Sequence, residues 1–186
     1  SEVDEVAKRL RDLLRELEEK LKRAEDRDRK LNDDLNKTNK KLIKELEDLL
    51  RKLEEIARRL KDKDTLKKII DEIERELKRL IDESRRTNKE ILDESRKLVE
   101  EIEETLRRAK KEAEDLIRRL RERFKDDDEV RRKIDELERE IKEVVDRLRR
   151  RLEELLRRSK ENVDRLNREN DRVLEEAKRK IRELEK

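Results

Sequence analysis

The chain contains no glycine, proline, cysteine, methionine, tryptophan, tyrosine or histidine, and Phe124 is its one aromatic residue. Each absence removes a class of structure or chemistry. Without glycine and proline the commonest turn residues are missing, and no Gly-rich phosphate cradle can form. With almost no aromatics, strands are not expected. Lack of cysteine excludes disulfides and leaves the redox compartment unmarked. Lack of both histidine and cysteine removes the usual base and the usual thiol of nucleophilic catalysis. No apolar run exceeds two residues, as in Leu13-Leu14 or Ile69-Ile70, so neither a signal-peptide core nor a membrane span is expected. No targeting signal is therefore expected, and no localisation is read from the sequence.

What remains is charge and leucine. Of 186 residues, 62% are charged and 30% hydrophobic, against about 25% charged in ordinary globular chains. Such a composition suits disorder, but the periodicity does not. From Val3 to Leu60, steps of three or four residues land on Val, Leu, Ile or Ala every time except at Asp28 and Asn39. The mean step is about 3.6 residues, and a disordered chain would not hold that phase.

With no glycine or proline to mark them, helix ends must be read from weaker signs. KDKDT at 61–65 and KDDDE at 125–129 each interrupt the stripe, from Leu60 to Leu66 and from Phe124 to Val130. Aspartate is a preferred N-cap, and lysine, here Lys61 and Lys125, suits a last helical turn. Ser1 followed by Asp4 resembles a capping box with Asp in place of Glu. The expected helices are about 2–61, 65–125 and 129–185. Cut at these breaks, the segments 1–61, 65–125 and 129–186 each carry 17 acidic residues, against 19, 19 and 20 basic ones. Short connections imply antiparallel neighbours. The expected fold is all-α: one single-chain, up-down-up antiparallel three-helix bundle over 1–186, with helices on the order of 90 Å long at ~1.5 Å per residue. The rival is one unbroken helix whose stripe other chains would bury. A mean step of about 3.6 in the second and third segments predicts nearly straight helices with little supercoil.

Polar residues fall on or beside the stripe at Asn32, Asn36, Thr38 and Asn39; at Ser84, Thr87, Asn88 and Ser95; and at Ser159, Asn162, Asn167 and Asn170. Asparagine occurs nowhere else. Turns centred near residues 63 and 127 would bring Asn32 towards Ser95, Asn39 towards Thr87, Ser95 towards Ser159, Asn88 beside Asn167 and Ser84 opposite Asn170. The three clusters would then meet at one height. A matched set of buried donors and acceptors specifies one register, because a slipped helix would strand amides among leucines at about 1 to 3 kcal/mol each. Alternatively these side chains flank the seam and are solvated. Asp28, also on the stripe, could join the network or swing to water beside Arg27 and Arg29.

Other chemistry finds little support. Ser159 and Lys160 are adjacent in sequence and therefore diverge on a helix. Di-metal bundle sites use inward Glu-x-x-His motifs, whereas the acids here lie mostly off the stripe between Lys and Arg. No cofactor or metal is expected. At net charge +3, with bases interleaved among acids, a nucleic-acid or membrane surface is not expected either. Asn36-Lys37-Thr38 matches a glycosylation sequon, read as chance without a secretory signal.

Three equal idealised helices, Lys/Arg/Glu/Asp surfaces, Leu/Ile/Val cores, Asp-rich loops and aligned Asn/Ser/Thr layers make the whole chain resemble a de novo, computationally designed three-helix bundle with buried hydrogen-bond networks. Spectrin-type repeats and BAR domains fit less well. The resemblance implies a stable structural scaffold that needs no partner, with no natural biochemical function and no enzymatic one. The alternative it implies is an interaction component: a heterodimer half, a homo-oligomer subunit or a cage for a partner helix. Stripe width leans to the first: 30% hydrophobic plus about a dozen polar stripe residues makes roughly 36% inward positions, between the ~29% of a two-in-seven seam and the ~43% of the three in seven that a second interface would need. Doublets such as Leu13-Leu14 and Leu155-Leu156 keep the second open.

Overall fold

The computed structural model describes Ser1–Lys186. It consists of α1 (Glu2–Arg59), α2 (Lys63–Arg123) and α3 (Asp128–Glu185), with no strand. This is the expected three-helix bundle, with helix ends displaced by one or two residues. The first connection shows why. Asp62, not Asp64, caps α2: its carboxylate accepts from Asp64 N at 3.1 Å and from the Thr65 hydroxyl at 2.9 Å. Those bonds, the Thr65 hydroxyl foremost, hold the Asp62 carboxyl below its ordinary range. Asp127 caps α3 in the same way, accepting from Val130 N at 3.2 Å. Ser1 Oγ accepts from Asp4 N at 3.3 Å at the start of α1. An oxygen-bearing side chain therefore satisfies an orphan donor at every helix start, which glycine-free loops require.

Side-chain contacts fix the topology. Arg9 pairs with Glu112 and Arg27 with Glu94, so numbering falls in α2 as it rises in α1. Arg121 pairs with Asp135, and Asn88 bonds Asn167, an antiparallel α2–α3 relation. Arg11 pairs with Glu140 and Arg147 with Glu18, so α1 and α3 run parallel.

The chain divides into two compact units. The first comprises Ser1–Arg29 and Glu94–Arg158. Its core draws on Leu10, Leu17 and Leu21 of α1, Val99, Leu106 and Ile117 of α2, and Ile134, Leu148 and Leu152 of α3. Alanines at 7, 24, 109 and 113 also lie in this core, where small side chains let helix backbones approach. Phe124, at the end of α2, packs partly buried against it. Ion pairs trim the helix edges: Arg11 grips Glu140 through Nε at 3.0 Å and Nη2 at 2.8 Å, and Arg151 pairs with both Glu18 and Glu25.

The second unit comprises Lys30–Asp93 and Ser159–Lys186. It holds an apolar cluster centred on Leu46, Leu53, Ile70, Leu77, Ile81 and Ile181. A smaller one of Leu35, Val163 and Leu166 is packed by Ile91 and Leu92. No large hydrophobic side chain is exposed anywhere in the chain.

Candidate functional site: the buried polar residues

Six polar or charged residues are buried: Asp28, Asn39, Asn88, Ser95, Ser159 and Asn170. All seven asparagines fall in the second unit. Their placement follows helical spacing. Residues 32, 35 and 39 share the inner face of α1, and 159, 163, 166 and 170 that of α3, so amides alternate with Leu35, Val163 and Leu166.

The amides join head to tail. Arg165 Nη2 donates to Asn162 Oδ1 at 2.8 Å, Asn162 Nδ2 donates to Asn32 Oδ1 at 2.9 Å, and Asn32 Nδ2 donates to Ser159 Oγ at 2.9 Å. Each amide uses one end to accept and the other to donate. A second run passes from Asn170 Nδ2 to Ser84 Oγ at 2.9 Å and from Ser84 Oγ to Asn39 Oδ1 at 3.5 Å. A third is the single bond from Asn88 Nδ2 to Asn167 Oδ1 at 2.8 Å. One atom is left over: Asn170 Oδ1 is buried and has no hydrogen-bond partner. In the first unit, Ser95 donates to the buried carboxylate of Asp28.

Several positions differ from the sequence reading. Asn39 meets Ser84, not Thr87, and Ser95 donates to Asp28. Both pairings have one origin. With Asp62 as the cap, the α1–α2 turn centres earlier, and paired residue numbers sum to about 123 in place of 126, a slip of nearly one helical turn. The α2–α3 pairings, Asn88 with Asn167 and Ser84 with Asn170, lie where they were expected. Thr87 turns its hydroxyl back to Glu83 O at 3.1 Å, and Thr38 is exposed, so neither bonds across helices. Asn36, half-buried, is reached at its edge by Arg165 Nη2 at 3.2 Å. Sequence reasoning missed Arg165 and left Asp28 open. The signal for Asp28 was its place on the apolar stripe, from which the short carboxylate stem cannot reach water.

Chemically, the arrangement is a set of amide, hydroxyl and carboxylate hydrogen bonds that run between helices. The Ser159 hydroxyl, buried, accepts an amide proton from Asn32, while its sequence neighbour Lys160 is exposed. No group of three or more acidic side chains is placed to hold a metal ion. No helix is long and apolar enough to cross a membrane. Apart from Asp62, the displaced titrating groups sit in ion pairs between arginine and a carboxylate. Glu140 is held below the ordinary carboxylate range, first by its hydrogen bond to Arg11, and Arg11 is correspondingly raised.

No protein-family model matches the sequence, and comparison with curated proteins finds no match. Among solved structures, the chain is similar to a computationally designed three-helix bundle, with a TM-score of 0.72 and 16% sequence identity. The match covers 98% of this chain and 93% of the other. At that identity the likeness is one of fold: three helices in the same arrangement, built from a largely different sequence.

Proposed function

We propose that the chain is a designed structural scaffold, without enzymatic activity, in which the polar residues of the second unit hold the helices in one register. The observation that carries this reading is the head-to-tail bonding of Asn162, Asn32 and Ser159 and of Asn170, Ser84 and Asn39. A one-turn slip would place each amide against leucine, at about 1 to 3 kcal/mol per stranded group. The designed bundle to which the chain is similar supports the same reading. An interaction component would need an apolar stripe left open, and no large hydrophobic is exposed. The three helices Glu2–Arg59, Lys63–Arg123 and Asp128–Glu185 take up nearly the whole chain, which supports reading residues 1–186 as a single three-helix bundle.

The test is the triple replacement of Asn39, Asn88 and Asn167 by leucine. The variant should remain helical by circular dichroism and be at least as heat-resistant, yet lose a single oligomeric state. Light scattering should give 23.0 kDa for the parent and a mixture of masses for the variant. A variant that stays a homogeneous monomer with unchanged structure removes the register role.

A further inference from the structure

A primary amide is two-faced. Its Oδ1 accepts, its Nδ2 donates, and a half-turn about the last side-chain bond exchanges the two without altering its shape. A hydroxyl likewise both gives and takes. A run built only of such groups has two possible directions, and nothing within it prefers one. Asn170, Ser84 and Asn39 form a run of that kind, and it is the one that carries a buried acceptor without a partner, Asn170 Oδ1. Asn88 and Asn167 meet amide to amide.

The run through Asn162 ends differently. Arg165 stands one turn after Asn162 on α3, and its guanidinium carries five N–H donors, no acceptor and a fixed positive charge. Its Nη2 donates to Asn162 Oδ1 at 2.8 Å and to Asn36 Oδ1 at 3.2 Å, so one nitrogen gathers carbonyl oxygens from α3 and α1. The carboxylate of Glu169 lies farther off, 3.8 Å from Nη1. With its Oδ1 held by the cation, Asn162 turns its Nδ2 to Asn32 Oδ1, at 2.9 Å. A half-turn of Asn162 would set its donor against the guanidinium and its acceptor against the acceptor of Asn32, losing both bonds. Arg165 is exposed, so its remaining N–H groups stay in water and no buried charge is added.

We propose that Arg165 is the positioning residue of this run: as a group that can only donate, it orients the Asn162 amide and decides which end of that amide meets Asn32 on α1. The inference rests on the register reading, since it names the side chain that orients amides to which that reading gives the register role. A lysine ammonium is also donor-only and can take the place of Arg165, whereas an apolar or acidic side chain cannot.

The chain has no glutamine, so its seven asparagines give the only primary-amide signals in a proton–nitrogen correlation spectrum, and Asn162→Leu identifies the Asn162 pair by its loss. Exchange of those protons with water is the measurement, with circular dichroism as the control for folding. Arg165→Leu removes the donor and should speed their exchange about tenfold, the worth of one charge-assisted hydrogen bond. Arg165→Lys should return it to within about twofold of the parent. Arg165→Glu, an acceptor only, should draw Asn162 Nδ2 to itself and move the nuclear Overhauser contacts of its protons from Asn32 to residue 165. Arg168→Leu removes the same charge from an exposed site on the same helix and should leave the Asn162 protons as they are. A merely structural Arg165 would shift Tm without singling out one amide pair among seven. Unchanged exchange in Arg165→Leu, equal quickening in Arg168→Leu, failure of lysine to restore the parent rate or unmoved contacts in Arg165→Glu each overturn the proposal. The light-scattering masses of the leucine triple variant test the register reading by a separate readout, so failure of either is seen on its own.

Discussion

The Ser95 hydroxyl donates to the Asp28 carboxylate where both residues are buried, so an acidic group on the apolar stripe of α1 is held by a small polar residue of α2. The two partners are not equivalent in cost. Ser95→Ala removes a donor from a buried charge and should destabilise by about 1.5 to 3 kcal/mol. Asp28→Leu removes the charge itself, and replacing a buried ionic group by a packed apolar one is often neutral or favourable. Equilibrium unfolding in guanidinium should therefore show Ser95→Ala as the more damaging change. The opposite order would mean that Asp28 contributes net stability.

Asn170 offers a second asymmetry. Its Nδ2 donates to Ser84 while its Oδ1, fully buried, meets nothing. Asn170→Leu relieves an unsatisfied acceptor and should leave stability unchanged or raise it by about 1 kcal/mol. Asn167→Leu strands the Nδ2 of buried Asn88 and should lower it by about 1 to 3 kcal/mol. Denaturant midpoints of the two single variants, at unchanged slope, decide between these outcomes.

Acid should weaken the fold gradually. Glu76, Glu140 and Glu154 are held below the ordinary carboxylate range, in each case first by a hydrogen bond to arginine, and Asp62 likewise by the Thr65 hydroxyl. A carboxyl lowered on folding contributes stability that is present above its unfolded value and is lost as pH falls through its folded value. Tm should thus be flat near neutrality and decline only below about pH 4.5, with Glu140→Gln reducing the decline. Asp62 and Glu140 are exposed and Glu76 and Glu154 half-buried, all in reach of solvent, so solvent and salt screen the effect, and added salt should flatten the curve. A Tm that drops between pH 8 and 6 would contradict this assignment.

The two units differ in core content at similar length. Twenty buried apolar residues cluster in the first, against clusters of eight and three in the second, which also holds every asparagine. Opening free energies track buried apolar contact. Backbone amides around Leu10–Leu21 should therefore exchange more slowly than those around Leu35–Leu46. Hydrogen exchange read by mass spectrometry on peptic fragments provides the measurement, and equal protection would show that the polar network compensates for the missing apolar area.

Most of the helical architecture could be read directly, because burial on a long helix obeys a 3.6-residue period that leucines report without ambiguity. Leu10, Leu14, Leu17 and Leu21 are buried on that schedule. Turn position was less legible. Asp62 and Asp64 are the same residue type two positions apart, and only the Thr65 hydroxyl, which bonds Asp62, distinguishes them. The α1–α2 pairings inherited that uncertainty, so Asn39 was matched with Thr87 one turn beyond its actual partner, Ser84. Facing angle accounts for the rest. Thr38 lies about 100° around the helix from buried Asn39, far enough to leave it exposed.

The solitary ring of Phe124 rests against the apolar cluster of the first unit, at the close of α2. In a protein spectrum, methyl resonances displaced upfield ordinarily come from many overlapping ring currents. Here a single source exists, so any such methyl signal must arise beside that turn, and its drift with temperature or denaturant would report loosening at one known place without isotopic assignment of the remainder.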